Sequence, residues 1–293
     1  MNRTISFVDR LADAVRSKGT PLCVGIDPRW ESLPKSLRAR HAGRPAQAFE
    51  EFGLRVLDLV AGLVPVVKPQ SAFFEQCGPD GFAAQRRIIE RARELGLITI
   101  LDAKRGDIAS TAAAYAEAAF DTWRADALTV NPYLGRDAVE PFLHAARQAG
   151  GGVFVLVRTS NAGAGLFQDL VCDGRPLYQH VGLRVDEWNR GHLGECGLGD
   201  VGAVVGATHP AELRLLRDLL PHAWFLIPGF GAQGGTADDV AAGFRADGLG
   251  AIVNSSRGIT FPFHPDEANW EDAILAATRS AAVELGKASP RGA

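Results

Sequence analysis

Short runs of continuous apolar, largely β-branched residues recur along the chain, separated by segments in which apolar residues return every three or four positions. The runs fall at residues 22–27, 64–69, 98–104, 127–131, 153–159, 201–207, 224–228 and 251–254. Apolar character without period-two alternation marks strands buried on both faces, as in a parallel sheet. The intervening stretches 83–95 and 109–123 carry helical spacing, the second with an alanine-rich face. Helix starts are expected at Gly78-Pro79-Asp80 and Thr208-His209-Pro210, where proline falls in the first turn. Eight strand–helix alternations predict an α/β chain closed into a single (β/α)8 TIM barrel. An open doubly wound sheet fits less well, because no GxGxxG turn follows the first strand. Residues 161–200 form a longer glycine-rich insertion, with a helix expected near 177–188. One catalytic domain over residues 1–286 is expected, followed by a disordered tail at 287–293.

Composition narrows the class. The 293 residues are 46% hydrophobic and 22% charged, with a net charge of −3, which suits one large soluble domain. Basic residues are interspersed with acids, so neither nucleic acid nor an anionic membrane is an expected partner. The most apolar stretch, 57–67, is broken by Asp58, Gly62 and Pro65 and is too short to span a bilayer. The first ten residues mix acid and base without an apolar core, so no secretory leader is expected. Cys23, Cys77, Cys172 and Cys196 lie far apart without a CxxC pair, and none of the seven histidines has metal-ligand spacing. Reduced thiols, a cytoplasmic location and no metal site are therefore expected. No flavin, nicotinamide or pyridoxal signature is present either.

The chemistry gathers at the strand ends. The first four runs finish in Asp27, in Lys68-Pro69-Gln70, in Asp102 with Lys104, and in Asn131-Pro132-Tyr133. The fifth ends in Arg158-Thr159-Ser160-Asn161, the seventh in the glycine-rich stretch 228–235, and the eighth in Asn254-Ser255-Ser256-Arg257. In a barrel these carboxyl ends form the functional face. Regular alternation would put Asp102 and Lys104 on one face, roughly 7 Å apart, and burying that pair is costly without further partners. With Asp27, Lys68 and Asp107, the two form a set of alternating charges in which each ion stabilises its opposite. An ammonium held this way is a positioned acid for a carbanion, and a fixed carboxylate beside it repels an anionic group that leaves as CO2. The glycines of 229–235 expose backbone amides, and Gln233 and Arg257 add side-chain donors, a combination suited to a phosphomonoester. The residues thus point to carbanion chemistry on a phosphorylated substrate.

These motifs resemble the orotidine 5′-monophosphate decarboxylases, the longer bacterial subgroup in particular, whose barrels are of the ribulose-phosphate-binding type. Asp102-x-Lys104-x-x-Asp107-Ile108 with Thr111 carries most of the resemblance, and Pro228-Gly-x-Gly231-Ala-Gln233 with Arg257 carries the rest. The resemblance implies cofactor-free conversion of orotidine 5′-monophosphate to UMP and CO2 in de novo pyrimidine synthesis. It implies that Lys104 protonates C6, that Asp102 lies against the substrate carboxylate, and that Lys68 and Asp27 meet the ribose hydroxyls. Ser160 would bond the pyrimidine edge, Gln233 and Arg257 the phosphate, and Asn131 is counted with the substrate-binding residues. It further implies a homodimer in which Asp107 and Thr111 serve the neighbouring subunit's site. Metal-dependent barrels acting on sugar phosphates share the D-x-K-x-x-D pattern, but they look to use a glutamate as metal ligand where this chain has Lys68. A binding-only barrel is a further alternative, opposed by the presence of every acid–base residue.

Overall fold

A computed structural model describes residues 5–207, 210–231 and 234–290. Its centre is a closed barrel of parallel strands. In chain order these are β1 Leu22–Ile26, β2 Val66–Pro69, β3 Ile98–Arg105, β4 Ala127–Val130, β5 Gly152–Arg158, β6 Val201–Val205, β7 Phe225–Pro228 and β8 Ala251–Ser255. β1 pairs with both β2 and β8, which closes the ring. All eight expected runs become strands, with ends moved by two residues or fewer.

Parity sorts the side chains into two apolar layers. Cys23 of β1 faces the interior with Val66, Ile100 and Ile252, whereas Leu22 and Val24 pack outward against the helices. The N-terminal helix Phe7–Lys18 adds Phe7, Leu11 and Val15 to the inner cluster and plugs the amino-terminal end of the barrel. Gly152, the first residue of β5, is required there, because a Cβ would lie 2.5 Å from the Phe7 ring. The polar residues buried along the strands, among them Lys68, Asp102, Thr129 and Asn254, lie toward the opposite end. One end of the barrel is therefore apolar packing and the other is chemistry.

Three local expectations change. The stretch 109–123 is not one α-helix: Ala109–Glu117 gives way to a π-turn at Ala118–Thr122, closed by the amide of Trp123 on the Ala118 carbonyl at 3.0 Å. The wider turn accompanies burial of Phe120 and stacking of Trp123 on Phe82. Within 161–200, a short antiparallel pairing of Val171–Cys172 with Arg175–Pro176 precedes the expected helix, which spans Leu177–Asn189. The closing helix Trp270–Ala288 runs two residues past the expected boundary at 286, and Ser289 Oγ then donates to the Gly248 carbonyl at 2.7 Å. Residues 291–293 of the expected tail lie outside the described residues. The expected helix start at 208–210 is met at Pro210, while Thr208 and His209 lie outside the described residues. Among the described residues no helix is long and apolar enough to cross a membrane.

Candidate active site

A cavity of about 890 Å3 opens at the carboxyl ends of the strands. Asp27, Lys68, Asp102, Lys104, Asn131, Ser160 and Arg257 all line it, so seven of the ten expected site residues converge. Asp107 and Thr111 do not line it, and Gln233 lies outside the described residues.

Asp102 is the hub. Lys68 Nζ donates to its Oδ2 at 2.7 Å and Gln70 Nε2 to the same oxygen at 2.9 Å. Lys104 Nζ donates to Oδ1 at 2.6 Å and Thr129 Oγ1 to that oxygen at 3.0 Å. A carboxylate has about four acceptor sites, and all are occupied. Burial alone would raise the Asp102 pKa, but Lys68 and Lys104 outweigh it and hold the acid well below the usual carboxylate range. Burial likewise disfavours the Lys68 ammonium, yet Asp102 and Asp27 reverse the balance and keep it charged beyond the usual lysine range. Cys23, beneath the site, is pushed up to about 12 chiefly by burial and stays a neutral thiol.

Simple alternation along β3 does not account for this geometry. Leu101 pairs with Leu128 and Arg105 with Val130, so Asp102, Ala103 and Lys104 together face Thr129 alone. This bulge puts Lys104 at a φ of 47°, in the left-handed region, a conformation that costs a non-glycine residue about 1 kcal/mol or more. It brings Nζ onto Asp102 instead of leaving the two side chains a full two-residue step apart.

Across the mouth, Gly229 and Gly231 take positive φ at the end of β7, and Arg257 opens the short helix Arg257–Thr260 after β8. Gly25 has no room for a side chain: a Cβ would lie 1.9 Å from Ser256 Oγ, so the β8 end rests directly on β1. Gly206 plays the same part for Ser160, whose own Cβ would be 3.0 Å from an added methyl. Asn131, which lines the cavity, accepts the Tyr133 amide on Oδ1 at 3.1 Å. Arg158 is not a cavity cation. Glu212 holds it at 2.6 and 3.0 Å and Asp169 at 2.7 Å, so it ties the insertion to helix Pro210–Leu219. Asp107 is half-buried and accepts the Ile108 amide at 2.8 Å, while Thr111 is exposed on the next turn.

Thr129 is a site residue that the sequence did not mark, and Gln70, noted at the end of the second run, carried no assigned role. Gln70 had a signal, a polar group one step beyond Lys68-Pro69 at a strand end. Thr129 had little, since threonine is an ordinary strand former. Among the described residues, no three His, Cys, Asp or Glu side chains assemble as metal ligands.

Fold and site define a (β/α)8 barrel with an acid–base cluster and a glycine-rich loop at its carboxyl-terminal mouth. A family model described as "Orotidine 5'-phosphate decarboxylase / HUMPS family" matches residues 20–269, and the chain belongs to that family. The orotidine 5′-phosphate decarboxylase of Rhodopirellula baltica is 49% identical over 292 residues, covering 94% of this chain and 97% of that protein. The Deinococcus radiodurans orotidine 5′-phosphate decarboxylase is 41% identical over 280 residues, 93% of this chain and 96% of its own length. Among solved structures, Leishmania donovani OMP decarboxylase superposes with a TM-score of 0.79 at 36% identity, covering 97% of this chain and 99% of that one.

Proposed function

We propose that this chain decarboxylates orotidine 5′-monophosphate to UMP and CO2, with Lys104 as the acid. The observation that carries the reading is the chain Lys68–Asp102–Lys104, in which a saturated, permanently ionised carboxylate holds an ammonium that is still 45% exposed toward the cavity mouth. With the substrate carboxylate against Asp102, the C6–carboxyl bond breaks, its electron pair stays on C6 and CO2 leaves. C6 then takes a proton from Lys104 Nζ, and the amine is recharged from solvent. Asp102 has no acceptor site left for a shared proton, so it acts on the substrate as fixed charge.

The remaining side chains suit the rest of this ligand. Asp27 Oδ1 is buried without a hydrogen-bond partner among the described residues, and Lys68 uses one of its three donors on Asp102. A ribose hydroxyl that donates to Asp27 and accepts from Lys68 satisfies both. Arg257, the amides near Gly229 and Gly231, and Gln233 serve the phosphate. Ser160 serves the pyrimidine edge, and Asn131 offers its NH2 group. No metal or organic cofactor enters the scheme, and Lys68 in the place where the sugar-phosphate barrels carry a carboxylate argues against a divalent ion.

The working unit in this proposal is a cytoplasmic homodimer, the compartment being inferred from four free cysteines. Ile108 and Tyr115 near Asp107 and Thr111, and Tyr133 and Leu134 on the adjacent loop, expose apolar surface of the kind that a second copy covers. Asp107 and Thr111 then complete the partner's site. The test is the ultraviolet absorbance of the protein with orotidine 5′-monophosphate and excess EDTA. Conversion to UMP is the expected trace; folded protein that leaves the substrate unchanged would overturn the reading.

A further inference from the structure

The unusual element of the site is the bulge, where the amides of Ala103 and Lys104 have lost their place in the β3–β4 ladder. A hydrogen bond of this kind is worth about 0.5–1.5 kcal/mol, and both amides find an acceptor outside the ladder. The Thr129 side chain takes both: the Ala103 amide donates to Thr129 Oγ1 at 3.1 Å and the Lys104 amide donates to it at 2.9 Å. A hydroxyl has two acceptor lone pairs and one proton. With both lone pairs engaged, the proton has one direction left, and Asp102 Oδ1 lies there at 3.0 Å. Thr129 is itself 1% exposed, so its hydroxyl is screened from water.

We infer that Thr129 is a positioning residue for the decarboxylation, fixing the left-handed backbone of Lys104 and the Asp102 carboxylate with one hydroxyl so that the acid and its counter-charge keep a single relative geometry. A serine or threonine hydroxyl is the smallest group able to do all three jobs at this distance. Valine keeps the shape but offers neither acceptor nor proton, and alanine removes the shape as well. The Lys104 backbone would then lose the bonds that hold it at positive φ. The consequence falls on the proton-transfer geometry, since ribose and phosphate would be held by groups on other strands. This inference rests on Lys104 being the acid, and the experiment separates the two ideas.

Thr129→Val, Thr129→Ala, Thr129→Ser and Lys104→Ala are compared for kcat, KM, UMP affinity and thermal midpoint. Loss of one hydrogen bond to a charged group lowers kcat by about 10- to 100-fold. That loss is expected in Thr129→Val and Thr129→Ala, with KM and UMP affinity changed by less than about threefold and Thr129→Ser within about threefold of the parent. Should the valine form not fold, the comparison of alanine with serine decides. Equal kcat in those two, or loss in serine as large as in alanine, overturns the positioning role. If Lys104→Ala is inactive while Thr129→Val and Thr129→Ala are fully active, the Thr129 inference alone falls. A fully active Lys104→Ala overturns the assignment of the acid itself.

Discussion

Asp102→Asn isolates what the buried charges are worth. The substitution keeps size and shape but removes the anion that bridges Lys68 and Lys104. Lys68 is 5% exposed and the Asp102 side chain 8%, so this is a buried pair. At an effective dielectric near 20, opposite charges about 4 Å apart attract by about 4 kcal/mol. The Lys104 contribution is smaller, because that side chain is 45% exposed and screened by solvent. Removing one partner of a buried pair typically costs about 3–5 kcal/mol, and the new amide group also points hydrogens at groups that are themselves donors. A loss of about 3–5 kcal/mol in urea unfolding is therefore expected, together with loss of turnover. The pH dependence should change sign. In the parent, the Lys68 pKa is raised on folding, so its contribution is complete below about pH 10 and is lost above it. In Asp102→Asn, burial dominates and lowers the Lys68 pKa, so stability should rise as pH increases from about 7 to 10. Lys68→Met in the same background should restore much of the loss, since the two sites are coupled. An Asp102→Asn protein within about 1 kcal/mol of the parent and flat across that pH range would refute the reasoning.

The same linkage holds on the acid side. Asp102 is depressed and its contribution is lost only as pH falls below about 4, so the Lys68–Asp102 pair should keep both charges from about pH 5 to 10; a fall in the parent's unfolding free energy near pH 6 that Asp102→Asn abolishes would contradict this. For the dimer, Lys104→Ala chains mixed with Asp107→Ala chains should recover about one quarter of parent activity, because half of random dimers are hybrids and each hybrid holds one intact site; no recovery in verified hybrids argues against a shared site. Away from the site, Arg217 is buried and donates to the Leu220, Ala223, Gly243 and Gly250 carbonyls at 2.7–3.0 Å. Arg217→Met should cost about 3 kcal/mol or more in unfolding while leaving KM unchanged, and a neutral effect on stability would show that those bonds contribute nothing net.

The barrel was legible because parallel strands are buried on both faces, so Leu22–Ile26 and Val201–Val205 read as unbroken apolar runs. The site was legible for a related reason: charges at the ends of such runs have no core role to fill, and Asp27, Lys68, Asp102 and Lys104 stood out. The bulge was not legible, since its cause lies on a different strand, in one threonine whose hydroxyl does the work of a ladder. Arg158 looked like a member of the same constellation, yet its acids sit at Asp169 and Glu212, and no local pattern connects them. The π-turn after Ala109–Glu117 was hidden because alanine-rich sequence favours an unbroken α-helix, and the wider turn accompanies packing of Phe120 and Trp123 that no local pattern announces.

The arrangement also divides the site into parts of unequal rigidity. Lys68, Asp102 and Thr129 stand on strands inside the barrel and are bonded to one another across β2, β3 and β4. Ser160, Arg257 and the Gly229–Gly231 turn stand beyond the strand ends, Arg257 at the start of a short helix and the others on connecting segments. In the proposed reaction, contacts to a distal phosphate would fall on the loops and leave the acid and its counter-charge to the strands, so that binding energy remote from the reacting carbon can be turned to rate. The two regions are still in touch. Ser256 lies where a Cβ of Gly25 would fall, and Asp27 follows two residues later on the same segment. Movement at the β8 end thus bears first on the residue proposed to hold the ribose, and through Asp27 on the neighbouring Lys68 charge.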